Sequence, residues 1–245
     1  IVAKNKRRKM IIFISFIMSS IILTSEQVFV SCEGNFYQGN GSLWTLSDGD
    51  VYEYEGNPIG EVVQSMLVHD NRLYVIVNVS SNIQVFDITD EGIIPVHLID
   101  TQFSGPREMV IYGNNLYFSN WYTADIKILN LNTLQIDHEI DMPGLPEDIV
   151  VHNDKLYISI TMNYDWSDGD TVVVLDPQNN QIIEEYDVGP GPGNLAVNEN
   201  EIFVARTYYD SNWNAFYGTS KIKENNEVVI VSYGAGMACG GSVHS

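Results

Sequence analysis

The sequence predicts an all-β fold, a β-propeller of four-stranded antiparallel blades. Three observations carry this. A unit of about 43 residues recurs, each unit consists of short apolar runs separated by polar turns, and strand-period segments fill the chain beyond its first 25 residues. The repeat is anchored by Arg72-Leu73-Tyr74-Val75, Asn115-Leu116-Tyr117-Phe118, Lys155-Leu156-Tyr157-Ile158 and Glu201-Ile202-Phe203-Val204, whose second residues are 43, 40 and 46 apart.

Within each unit the elements follow in a fixed order. An apolar run comes first (Met66-Leu67-Val68, Met109-Val110-Ile111, Ile149-Val150-Val151, Leu195-Ala196-Val197), then a polar turn such as His152-Asn153-Asp154, then the anchoring run. Apolar run, short turn, apolar run is a β-hairpin. A third strand follows, as in Ile83–Asp87, Ile126–Asn130 and Val172–Asp176. The fourth, as in Gln135–Ile140 and Gln181–Tyr186, alternates only partly, which suits an exposed outer strand. The template extends backward: Val28–Cys32 sits 45 residues before Leu73, and Leu43–Leu46 sits 40 before Ile83. Five periods are visible, and the last stops at Val228–Val231 before a Gly-rich tail. A propeller closes its ring to hide sheet edges, so the expectation is an open arc lacking C-terminal sequence.

Gly189-Pro190-Gly191-Pro192, then Leu195-Ala196-Val197, then Ile202-Phe203-Val204 resembles the blade consensus of YVTN-type propellers. Cys32–Phe36, Gly60–Asn78 and Asn120-Trp121 further resemble a bacterial surface-protein subgroup of that family. The resemblance covers about residues 28–231 and implies a propeller fold. Its functional content is thin, because members range from binding proteins to cofactor-dependent dehydrogenases. Val63 stands at the usual proline position, and a long loop is expected after Arg206.

The chain divides into residues 1–25, a signal peptide or N-terminal membrane anchor, and 26–245, the propeller. Lys4–Lys9 is basic and Met10–Leu23 is apolar, with cleavage expected after Ser25. Phe29-Val30-Ser31-Cys32 resembles a lipobox, which would lipidate Cys32. Its place in a blade strand weighs against that. Cys32 could also pair with Cys239 or stay free. The expected location is secreted, periplasmic or cell-surface, with no membrane insertion beyond such an anchor or lipid. Five of the 12 bases fall in the first nine residues, so the chain from Glu26 onward carries seven bases against 32 acids, a formal charge of −25. That excludes a nucleic-acid footprint.

Labelling the strands of a blade A to D from the centre outward, the B–C loops and D-to-A crossovers share one face. Eleven of the 27 aromatics are placed in its connectors: Phe36, Tyr37, Trp121, Tyr122, Tyr164, Trp166, Tyr208, Tyr209, Trp213, Phe216 and Tyr217. Flat rings on a rigid scaffold suit stacking against sugars or peptide side chains. They equally suit packing over the blade tops. On the same face Gln64, Ser65, Arg107, Glu108, Glu147, Asp148 and Asn194 should rim the axial channel, there to bind a polar ligand or cation, or to tie neighbouring blades together. No catalytic or cofactor motif is found. Asp165, Asp168 and Asp170 share a loop that could hold calcium, but its glycine does not fit a calcium-loop pattern.

Two function classes follow. One is a binding protein for a glycan or protein partner, using Arg107, Glu108, Trp121, Tyr122, Glu147, Trp166, Tyr208, Tyr209 and Trp213. The alternative is a metal-dependent, lactonase-like hydrolase or lyase acting at the channel mouth through Glu108, Glu147 and Asp148.

Overall fold

The computed structural model describes residues 27–235. The segment read as a signal peptide or anchor, and Cys239, lie outside the described residues. Among those residues there is no helix, and 19 strands form five antiparallel sheets.

Blade 1 holds β1 (Gln27–Cys32), β2 (Ser42–Ser47) and β3 (Asp50–Glu53). Blade 2 holds β4 (Val63–His69), β5 (Arg72–Val77), β6 (Asn82–Thr89) and β7 (Gly92–Asp100). Blade 3 runs through β8 (Pro106–Tyr112), β9 (Asn115–Asn120), β10 (Asp125–Asn130) and β11 (Gln135–Asp141). Blade 4 has β12 (Leu145–His152), β13 (Lys155–Met162), β14 (Asp168–Asp176) and β15 (Gln181–Asp187). Blade 5 has β16 (Pro192–Asn198), β17 (Glu201–Tyr209), β18 (Ala215–Ile222) and β19 (Val228–Ala235). In blades 2 to 5 each strand pairs only with its neighbours in sequence, and β4, β8, β12 and β16 pack successively as the innermost strands.

The core lies between blades, because each sheet has two apolar faces and only neighbouring sheets to cover them. Tyr74, Ile83 and Val85 of blade 2 meet Leu116, Phe118 and Leu129 of blade 3. Tyr117, Ile126 and Ile128 of blade 3 meet Ile149, Ile158 and Val173 of blade 4. Val172 and Val174 meet Leu195, Ile202 and Val204 of blade 5. Leu43 and Phe29 of blade 1 join Val75 and Phe86 of blade 2. Among the described residues no such cluster joins blade 5 to blade 1.

Among the described residues blade 1 is three-stranded, and its hydrogen bonds say which blade positions those strands take. Thr101, Met142 and Val188, each just past an outer strand, donate their N–H to Ser81 and Ala124, just before strand C, and to Asp170, the third residue of β14. Ile59 donates to Gly41 in the same way, at 2.9 Å. So β2 is a C strand, β1 a B strand, and no described strand lies along the axial edge of β1.

The long loop expected after Arg206 is a correction: β17 and β18 extend outward as a hairpin, with Tyr208 opposite Phe216 and Thr207 opposite Tyr217. Alternating aromatics pair across the ladder, the first pair stacking with ring centroids 5.6 Å apart, so these residues form strand. Arg206 itself is buried and donates to the carbonyls of Pro190 and Val231. A Cβ on Gly218 would come within 2.4 Å of its guanidinium, so the glycine makes room for this staple.

Phe118 is completely buried between blades 2 and 3. Phe118→Ala should lower unfolding free energy by about 3 to 5 kcal/mol. Val231→Ala, on the exposed outer strand, should stay within about 0.5 kcal/mol of the parent. Urea unfolding of both variants checks the comparison.

Candidate functional site

Each innermost strand carries an irregularity at the same place. Register slips between Val63 and Ser65, Pro106 and Met109, Pro146 and Ile149, and Pro192 and Leu195. A bulge re-aims side chains and frees backbone groups. The bulged positions are the polar residues that the sequence placed at the channel.

The first bulge residues make a chain around the axis. The Arg107 guanidinium gives two hydrogen bonds to the Glu147 carboxylate, at 3.0 and 2.7 Å, and one to Gln64 Oε1 at 3.0 Å. The second bulge residues lie with it. Glu108 is hydrogen-bonded by Ser65, and Asp148 accepts the Leu195 N–H at 2.6 Å and its neighbour Ile149 N–H at 2.7 Å. Ser119 Oγ accepts the Glu108 N–H and donates to the Glu147 carbonyl. Arg107, Glu147 and Asp148 therefore bridge blades.

Glu108 is different. Burial pushes its carboxyl up to about 7, and nearby Asp148 and Glu147 add to the rise against the pull of Ser65 and Arg107. Burial also raises Asp148, opposed by its two N–H donors. Among the described residues no three His, Cys, Asp or Glu side chains are placed to hold a metal ion. Asp168 and Asp170 belong to β14 rather than to a loop with Asp165, which corrects that reading. Asp165 bonds Ser167 and Asp168 accepts the Tyr209 N–H.

Outside this polar ring lies an aromatic rim. Arg107 stacks on Trp121 at 4.1 Å from the ring centroid, and Trp121 meets Trp166 edge-on at 6.4 Å. Trp121 is thus half-buried, whereas Tyr122, Trp166, Tyr209 and Trp213 are exposed. Tyr208 is half-buried on Phe216. The rim includes one ring not singled out from the sequence. Phe103, in the crossover entering blade 3, is 84 % exposed, and its neighbours Ser104 and Gly105 accept the N–H groups of Tyr122 and Trp121. Only its place in a D-to-A crossover could have flagged it. The rings form a rim rather than a pocket. A cleft of about 750 Å³ opens elsewhere, at the C–D turns of blades 1 and 2, lined by Tyr52, Tyr54 and five acids.

Two of the loops are the same device. Asn163-Tyr164-Asp165-Trp166-Ser167 and Asp210-Ser211-Asn212-Trp213-Asn214 each close through an N–H bond from first to last residue and one from the Trp to the first. Each Trp sits at positive φ, 67° and 63°, where glycine or asparagine is the ordinary choice. Tyr37 and Phe103 are also left-handed, at 65° and 56°.

No family model and no curated protein matches the sequence. Solved structures do match in shape. The WD40 domain of Neurospora crassa Pan2 aligns with TM-score 0.61 at 11 % identity, over 86 % of this chain and 62 % of that one. A Lactobacillus plantarum protein aligns with TM-score 0.63 at 11 % identity, over 85 % of this chain and 67 % of that one. A candidate 6-phosphogluconolactonase from Bacteroides uniformis gives 0.62 at 10 %, over 86 % and 68 %. The chain thus spans about two thirds or less of these structures. Likeness at such identity is one of fold: the chain is a β-propeller, an architecture shared by WD40 scaffolds and lactonase-like proteins alike.

The raised Glu108 has a stability consequence. The folded protein holds this proton more tightly than the unfolded chain, whose ordinary value is 4.5. Its contribution is therefore full below pH 4.5 and is lost as pH rises towards 7. Glu108→Gln should remove a loss of roughly 3 kcal/mol across that window. Urea midpoints at pH 4.5 and 8 check it: the variant should gain on the parent at the higher pH, and an unchanged difference would contradict the assignment.

Proposed function

We propose that the chain is a secreted or surface-displayed binding propeller of the YVTN-type bacterial subgroup, taking a neutral glycan or a protein partner on the aromatic rim. The observation that carries this is the pair of tryptophan loops. A bulky residue in the left-handed region costs about 1 kcal/mol or more, and the ring gains little burial in exchange, since Trp166 stays 60 % and Trp213 81 % exposed. Strain kept at an exposed ring supports a role outside the folded chain itself. The formal charge of −25 beyond Glu26 disfavours anionic ligands and nucleic acid.

A propeller enzyme is supported by one observation, the Glu108 carboxyl poised near neutrality beside Asp148 in the channel, where a general acid or base would work. Gln64, Arg107 and Glu147 would then orient the substrate. A metal-assisted version needs ligands that the described residues do not bring together. Calcium as a cofactor stays outside the proposal.

The double variant Trp166→Gly with Trp213→Gly separates the readings. Glycine relieves the left-handed strain, so the melting temperature should hold or rise. Retention on a neutral-glycan array, or of a captured protein partner, should fall at least tenfold. A fall in melting temperature with binding intact would assign the rings to packing.

A further inference from the structure

Among the described residues four aromatics stand in the left-handed region, Tyr37, Phe103, Trp166 and Trp213, and all four are exposed on the rim face. Each ring is accompanied by a carboxylate fastened to the backbone beside it. The Tyr37 N–H itself donates to Glu61 Oε1 at 2.5 Å. Next to Phe103 the Gln102 N–H donates to Asp100, and next to Trp166 the Ser167 N–H donates to Asp165. Around Trp213 the N–H groups of Asn212 and Asn214 both donate to Asp210. An ionised carboxylate offers about four acceptor positions, so each keeps capacity for a donor from outside. Hydrogen bonds from Ser167 and Asn214 hold Asp165 and Asp210 below the usual carboxylate range, so both are charged at neutral pH.

An exposed ring beside a fixed negative charge is a seat for a cation, which the ring face and the carboxylate attract together. The chain fills two such seats itself. Arg107 lies 4.1 Å over Trp121 while bonding Glu147, and Lys221 lies 5.6 Å from the Phe203 centroid while bonding Glu201 at 2.9 Å. Among the described residues no base is left for the four rim rings. Of the seven bases beyond Glu26, six pair with acids, and the seventh, Arg206, is buried on backbone carbonyls.

We propose that the partner of the rim is a protein segment rich in arginine and lysine, lying extended across the blades with its cations on these rings. This rests on the reading of the rim as a binding face and adds what the partner carries. Charge complementarity favours it over a neutral occupant: the anionic body draws a basic segment in, and ring and carboxylate together give it a place to stop. The seats belong to connectors of different blades, so a chain with successive charges can occupy several where a single compact ion reaches one.

The test is calorimetric titration of the full chain, at physiological salt, with a decapeptide of alternating arginine and glycine. The control is the same peptide with citrulline, which keeps the shape and loses the charge. The arginine peptide should bind at least tenfold more tightly. Trp166→Gly with Trp213→Gly should weaken it at least tenfold. Asp165→Asn with Asp210→Asn should do the same with the melting temperature held, because asparagine still accepts the loop N–H groups. Asp48→Asn with Asp90→Asn, at the C–D turns of the opposite face, removes as much charge and should change binding less than twofold. Equal losses from the two charge pairs would mean attraction to the bulk charge alone and overturn the proposal. Equal binding of the arginine and citrulline peptides, or Trp-dependent retention of a neutral glycan with no peptide bound, overturns it while leaving the rim a binding face. Peptide binding indifferent to the tryptophan variant, or no binding of peptide or glycan, overturns both readings. Should the glycine variant fail to fold, the comparison of the two asparagine pairs decides.

Discussion

Everything in this molecule depends on sheets burying both faces against other sheets. A blade alone has too little apolar contact to persist, and only stacking brings Phe118, Ile158 and Val173 to complete burial. That constraint explains why the outward faces of the end blades carry exposed apolar residues. Val28 and Val30 of β1 and Val231 and Tyr233 of β19 stand where an interior blade would have a neighbour. Among the described residues blade 1 also has no strand along the axial edge of β1, and an edge is a stricter demand, since it wants hydrogen bonds in a given register while a face wants only apolar contact.

The axial bulges convert this stack into a site. By breaking the ladder after Pro106 and Pro146, they turn two polar side chains per strand towards the channel instead of into a blade interface. Once there, the groups compete for few donors. Arg107 commits its guanidinium to Glu147 and Gln64, and Asp148 takes backbone N–H groups, so Glu108 is left with a serine hydroxyl as its principal donor. The elevated carboxyl follows from that allocation: a buried acid whose charged form has few partners holds its proton. The same arrangement both ties four blades together, from Gln64 of blade 2 to Leu195 of blade 5, and leaves one group near neutrality.

The strands of the propeller were legible because period and turn chemistry are local. Leu73, Leu116, Leu156 and Ile202 repeat with the blade, and each turn before them carries its own polar residues. The B-strand identity of Val28–Cys32 was legible for the same reason. What local pattern could not show was pairing beyond the expected blade width. Tyr208, Tyr209, Phe216 and Tyr217 read as loop because they lie past the usual end of the strands, and only the cross-strand stack of Tyr208 on Phe216 makes them a hairpin. The division of the rim was equally hidden. Trp121 and Trp166 are both tryptophans of B–C loops, yet one is covered by Arg107 and the other is open, a difference that arises from a residue on another strand.

The two tryptophan loops show how a repeat scaffold accommodates strain. A five-residue loop with a left-handed fourth position would ordinarily select glycine there, and the duplication of Trp in blades 4 and 5 keeps the costlier residue twice. The cost is bearable because each loop is clamped at its base by backbone bonds and by Asp165 or Asp210, whose carboxylates are held below the usual range by their hydrogen bonds to the loop. The hairpin of blade 5 is anchored to blade 4 through the Tyr209 N–H and Asp168, so the two loops are not independent. A ligand that met both rings would find their spacing fixed by blade stacking rather than by loop motion. Such a surface favours an extended partner lying across adjacent blades over a small molecule enclosed by one loop.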